Sequence, residues 1–202
     1  MERAAGMRRS GDMHRLISLA SLAVVVAACS VTPTPTPLGS GLQPGPTAPE
    51  RAAGTVSGHG MTLSAAAEPA VVAAGERIEV EATVTNDGAE PIVLSGSGSG
   101  FVFFSVTRVE DGLTSGEPVM TDDCAPHVVN PGEPIAVPFA KSGGWSEDDP
   151  NAAFLRTYFS EPELSLPSGT WRIDVTVHAT MGEGCTGPPV DLELALIVTV
   201  TE

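Results

Sequence analysis

Three cysteines, scattered histidines and a few adjacent carboxylates are the groups in this 202-residue chain that could do chemistry. Cys29 ends an apolar run, whereas Cys124 and Cys185 stand far apart in the second half. His59, His127 and His178 are isolated from one another, and a lone surface histidine is ordinarily solvated. Asp122-Asp123 and Glu147-Asp148-Asp149 offer oxygens to a hard cation such as Ca²⁺, but lack the regular alternating spacing of a dedicated calcium loop. No metal ligand set and no cofactor is assigned on these residues. The chain has no G-x-S-x-G elbow, no H-E-x-x-H, no Walker loop and no dinucleotide glycine fingerprint. The glycine–serine alternation from Gly96 to Gly100 lacks the strand-to-helix setting of a phosphate cradle and reads as a flexible loop. With no catalytic residue to name, the expectation is a chain that is not an enzyme.

Aromatic residues supply the other candidate surface. Residues 140–166 form a connection much longer than a hairpin needs, and long connections are often functional. Within it, Asp148-Asp149-Pro150 could cap a short helix with Pro150 at its first position. Phe154 and Tyr158, four apart, would then share a face. One reading is a helix that plugs the open edge of a sandwich, since apolar helical spacing usually means core. The other is a partner surface built from Trp145, Phe154 and Tyr158.

The elements that must position these groups read with a period of two. In Arg77 to Thr85, Ile78, Val80, Ala82 and Val84 alternate with charged or hydroxylic residues, as in a strand with one wet face. Trp171, Ile173, Val175 and Val177 repeat the pattern, and so do Val190, Leu192, Leu194, Leu196, Val198 and Val200. Shorter strands are expected at 61–66, 71–73, 92–94, 101–108, 119–121 and 135–139. Turn chemistry at Asn86-Asp87-Gly88, Pro131-Gly132-Glu133 and Pro167-Ser168-Gly169 separates them. Seven to eight short strands with almost no helical periodicity predict an all-β, Greek-key sandwich.

The N-terminus is of a different kind. Arg3, Arg8, Arg9 and Arg15 precede an apolar run of 11 residues, Leu16 to Val26, which is followed by small residues. That is the layout of a secretory signal, with Met1, Met7 or Met13 as its start. A run of this length is too short for a membrane-spanning helix, which takes about 20 residues. Val26-Ala27-Ala28-Cys29 resembles the lipobox of bacterial lipoproteins, in which a cysteine after an aliphatic and two small residues is lipidated and becomes the mature N-terminus. The resemblance implies a signal peptide over 1–28, lipid (palmitate among it) on Cys29, and a location on the outer face of a cell membrane. Cys124 and Cys185 are then left as an even pair in an oxidising compartment, where the plain reading is one disulfide. The alternative, a two-thiolate metal or redox site, would want C-x-x-C spacing or nearby histidine ligands.

After Cys29, Thr-Pro alternation and Gly/Pro-rich sequence run to Gly58, a composition suited to an extended polyproline stalk. The expected organisation is signal peptide 1–28, lipidated linker 29–58 and sandwich 59–202. The whole chain carries a formal net charge of −15. Removing 1–28 leaves 6 basic and 23 acidic residues, which argues against nucleic acid and against anionic headgroups as partners. The partners expected are the membrane, through Cys29, and an envelope protein.

The succession Ala74-Gly75-Glu76, Thr85-Asn86-Asp87-Gly88, Pro91, Asn130-Pro131-Gly132-Glu133 and Leu166-Pro167-Ser168-Gly169-Thr170-Trp171 resembles immunoglobulin-like domains of bacterial envelope proteins. It is also similar, more faintly, to the BsuPI-type proteinase inhibitor domain. These motifs are strand and turn punctuation, which specifies fold rather than function. The expectation is a membrane-anchored lipoprotein displaying a non-catalytic binding or adaptor sandwich. The alternatives are an envelope proteinase inhibitor and a solute-binding lipoprotein.

Overall fold

The computed structural model describes residues 50–202, so the expected signal peptide, the lipidation at Cys29 and most of the stalk lie outside the described residues. Two sheets pack face to face. The first orders β1 (Ala52–Gly58), β2 (Met61–Glu68), β4 (Arg77–Asn86) and β8 (Ile135–Pro138), with β9 (Leu164–Ser165) also on β4. The second orders β3 (Val71–Ala73), β11 (Pro189–Thr201), β10 (Gly169–Met181), β5 (Ile92–Gly96) and β7 (Ala125–Val129), with β6 (Val102–Arg108) also on β10. The chain crosses between sheets after β2, β3, β4, β7 and β9, the connectivity of a Greek-key sandwich.

The period-two reading holds where it was strongest. Ile78, Val80, Ala82 and Val84 are all buried on β4. On β10 and β11, Trp171, Ile173 and Val175 face the core opposite Val198, Leu196 and Leu194 in one antiparallel register. Trp171 is fully buried, and its indole N–H donates to the Pro167 carbonyl at 2.8 Å, so the large ring enters the core with its polar atom satisfied. Asn86 joins the two sheets. Its buried amide donates to the Glu90 and Val129 carbonyls and accepts from the Gly88 N–H, all at 2.8–2.9 Å.

Several expectations need correction. Residues 52–58 are not linker but strand β1, paired with β2 from Ala52↔Ala67 to Gly58↔Met61, so the sandwich begins before residue 59. Small residues make this segment look like spacer. The same smallness lets β1 lie close over β11, where a Cβ on Gly54 or Gly58 would sit 2.7 or 2.9 Å from the Leu194 or Leu192 side chain. Eleven strands are described rather than seven to eight. Residues 119–121 are not among them, and β7 is, although Pro126 argues against a strand; it lies at a sheet end, where proline is tolerated.

Helix α1 (Ala152–Ser160) forms in the long connection, but its N-cap is Asn151, with Pro150 outside the helix. Asp149 still holds the start, its Oδ1 accepting the Asn151 N–H at 2.7 Å. Phe154 and Tyr158 do share a face, and it faces inward: Tyr158 is 3 % exposed and Phe154 stacks on Trp171 at 5.5 Å. The expected partner surface of Trp145, Phe154 and Tyr158 is therefore not formed as one patch. Its last two members are packing groups of the plug, and only Trp145 stays on the outside, half-buried under the Arg156 guanidinium at 5.2 Å. The helix has no basic residue in its last turn. Lys141, the only lysine of the chain, takes that role by donating to the Tyr158 and Glu161 carbonyls while lying 4.4 Å from the Tyr158 ring centre.

Candidate functional site: a disulfide-tied loop cluster

Strand register fixes which loops share an end of the sandwich. The chain enters at Glu50, whose carbonyl accepts the Ala70 N–H, and this end also holds the start of β4, the start of β10 and the end of β11. Loops 97–100, 120–124 and 182–188 lie at the opposite end, with the β1–β2 turn at His59-Gly60 and the end of β4 at Asn86. The Cys124–Cys185 disulfide, with Cα atoms 5.9 Å apart, ties the second of these loops to the third. The pairing expected from the cysteine count is present.

The glycine–serine run is held in place rather than free. The Ser97 hydroxyl accepts from the Ser99 and Thr121 N–H groups at 3.2 and 2.9 Å and touches the hydroxyls of both residues at 2.7 and 2.8 Å. Asp123 Oδ1 accepts the Gly98 N–H at 3.0 Å and the Thr121 hydroxyl. The Thr121 hydroxyl first, then the Gly98 N–H, hold the Asp123 carboxyl below its ordinary pKa. A Cβ on Gly98 would lie 1.9 Å from Asp123 Oδ2, so a side chain there would displace the carboxylate. Ser95 donates to the Gly182 carbonyl at 2.7 Å, and the Met181 N–H reaches the Pro188 carbonyl at 2.9 Å, so the third loop is fastened to the sheet on both flanks. Gly187 passes so close to the Met181 carbonyl oxygen that a Cβ would sit 1.7 Å from it.

Between these loops and β10 lies a shallow concavity of about 310 Å³, bordered by Ser97, Met120, Asp122, His178 and Thr180. His178 is on the polar face of its strand, as expected, and its Nδ1 lies 2.8 Å from Asp191. The His127 ring contacts the Ser97 carbonyl rather than its hydroxyl and packs on Phe101. Among the described residues no hydroxyl hydrogen-bonds a histidine ring, and the Ser97 oxygen is already engaged by four groups. A hydroxyl–histidine pair of the kind used in acyl transfer is therefore not formed among the described residues. Asp123 is committed to Gly98 and Thr121, and no three histidine, cysteine or acidic side chains converge among the described residues.

Charge divides the two ends. Arg51, Arg77, Arg108 and Arg172 lie towards the end where the chain enters, and Lys141 and Arg156 flank the helix. The loop end carries Asp87, Glu90, Asp122, Asp123, Glu183 and Asp191 and, among the described residues, no lysine or arginine. A larger concavity, about 390 Å³, lies beside Arg77 between β8 and β9. There Arg77 is already neutralised by Glu163 at 2.7 Å and Glu79 at 3.5 Å, which leaves a mixed-charge wall.

Of the residues that carry this cluster, the sequence named Cys124, Cys185, Asp122 and Asp123. It missed the Ser97–Thr121 contacts, for which the only signal was small and hydroxylic residues on both sides of a predicted strand.

No protein-family model and no curated protein matches the chain. Among solved structures, it is similar to a protein from Archaeoglobus fulgidus at 17 % identity, over 75 % of this chain and 96 % of that one, with a TM-score of 0.32.

Proposed function

We propose that this chain is a surface lipoprotein, anchored through lipid at Cys29, that displays a non-catalytic binding sandwich on a proline-rich stalk. The observation that carries the reading is the separation of ends. The polypeptide arrives at one end of the sandwich, and the disulfide-tied loop cluster stands at the other. A stalk of proline-rich sequence at about 3.1 Å per residue would give several tens of ångströms of reach from the membrane. One acyl chain binds a bilayer only marginally, so stable display calls for more than one. The absence of cations from the loop end among the described residues favours a neutral or basic envelope protein as partner over nucleic acid or an anionic lipid surface.

The test places a photo-crosslinking residue at Met120, which is 43 % exposed beside the disulfide, in wild type and in Cys29→Ala in intact cells. A discrete partner crosslinked in wild type and lost in Cys29→Ala, together with a shift of the variant from the detergent to the aqueous phase, is the expected result. A variant that partitions with membranes as wild type does overturns the anchor. A wild type without any discrete crosslink at the loop end overturns the display of a binding surface there.

A further inference from the structure

The two sides of the sandwich are finished differently. On one side β7 and β8 end the sheets, and residues 113–115 lie along β6, the Ser115 N–H donating to the Val106 carbonyl and the Ser115 hydroxyl accepting the Val106 N–H. On the other side β1 pairs only with β2, and β11, 13 residues long, is covered by β3 only at Thr199–Thr201. The Thr199 N–H donates to Ala70 and the Thr201 carbonyl accepts from Ala74, so odd-numbered residues of β11 turn their backbone groups away from β10. By the alternation of an antiparallel ladder, the N–H and C=O groups of Asp191, Glu193, Ala195 and Ile197 face the same open side. None has a backbone partner there among the described residues. The side chains of these four residues form one exposed row: two carboxylates, then alanine, then an isoleucine that is half exposed.

We propose that the open edge of β11 receives an extended basic segment of another protein as an added strand. The row sets its chemistry. Side chains of the segment beside Asp191 and Glu193 would be Lys or Arg and that beside Ile197 apolar, with small or apolar residues between them turned towards β1 at Gly54 and Val56. The chain's own stalk does not fit, because Pro33, Pro35, Pro37, Pro44, Pro46 and Pro49 lack the N–H a ladder needs. A second copy brings the same excess of acid, 23 carboxylates against 6 cations after residue 28, and no complementary charge for the row. The inference requires neither lipid at Cys29 nor the loop cluster, so it stands or falls apart from the function proposed above.

The test uses the full-length protein in detergent micelles with a fluorescent nine-residue peptide of alternating Lys and Val as probe, read by anisotropy. The Lys–Val peptide is expected to bind and its Glu–Val counterpart not to. Ala195→Pro removes one outward N–H without touching the bonds to β10, a change tolerated at an edge, and should weaken binding about tenfold. Glu193→Lys, which leaves the backbone intact, should reverse the preference between the two peptides. Failure of the Lys–Val peptide to bind overturns the proposal and marks Asp191 and Glu193 as charges that protect the edge. Binding that is unchanged in both variants overturns it as diffuse charge attraction. A mass that doubles with concentration in wild type but not in Ala195→Pro overturns it in favour of a second copy.

Discussion

At Asp123 two loops that are 25 residues apart share one carboxylate, which takes the Gly98 N–H and the Thr121 hydroxyl together. Because these bonds favour the charged form, the pKa of Asp123 in the folded chain is below its unfolded value, and the contact is stabilising above that value and lost as the pH falls through the lowered one. The measurement is the Gly98 amide proton shift in a pH titration. Its change is expected with a midpoint below 3.8, the ordinary aspartate value, and to be absent in Asp123→Ala; a midpoint at or above 3.8 would mean the two loops are not joined this way. At this scale the sequence was half legible. Cysteine parity identified Cys124 and Cys185, because a disulfide depends on number and compartment. The Ser97, Thr121 and Asp123 contacts join short polar side chains across loops and leave no period to read, so Gly96 to Gly100 looked free.

Helix α1 shows what periodicity does and does not decide for an element. The four-residue spacing of Phe154 and Tyr158 correctly placed them on one face, but spacing is silent on whether that face meets a partner or the chain's own core. Trp171 and Ser115 decide it, one stacking on Phe154 and the other within reach of Tyr158. Burial pushes the Tyr158 phenol up to about 12, against a bond from Ser115 that works the other way. Since the folded value is raised, the helix contact is stabilising below the unfolded value near 10 and is lost as the pH rises from there towards 12. Tyr158 is the only tyrosine in the sequence, so phenolate absorbance reads this residue without interference. Ionisation is expected near 12, or earlier only where circular dichroism shows the sandwich unfolding at the same pH. A midpoint near 10 in the folded chain would place the ring in solvent and remove the plug. Strand β1 is the opposite case, hidden from the sequence because its residues are chosen for closeness to Leu192 and Leu194 rather than for a hydrophobic face.

For the whole molecule, the long paired strands made the architecture legible, since β10 and β11 carry their alternation over the full register. Their order in the sheets was not, because pairing depends on contacts distant in the chain. The disulfide is where that distance has an energetic consequence. It spans a sequence separation of 61 and lies at the loop end, tying the segment before β7 to the loop between β10 and β11. On the chain-entropy model a closed loop of that length constrains the unfolded state by roughly 4 kcal/mol, less any native strain. The sheets themselves do not pass through it: β5, β7 and β10 are joined by their own ladders, and the core around Trp171 lies towards the other end. A Cys124→Ala/Cys185→Ala chain is therefore expected to keep its far-ultraviolet spectrum and the buried Trp171 fluorescence, while denaturant unfolding shows a loss of about 4 kcal/mol at most. The loss should come with increased amide exchange confined to 97–100, 120–124 and 182–188. Exchange that spreads evenly over both sheets would instead mean that the crosslink holds the sandwich together, and that the loop cluster is not a separable surface.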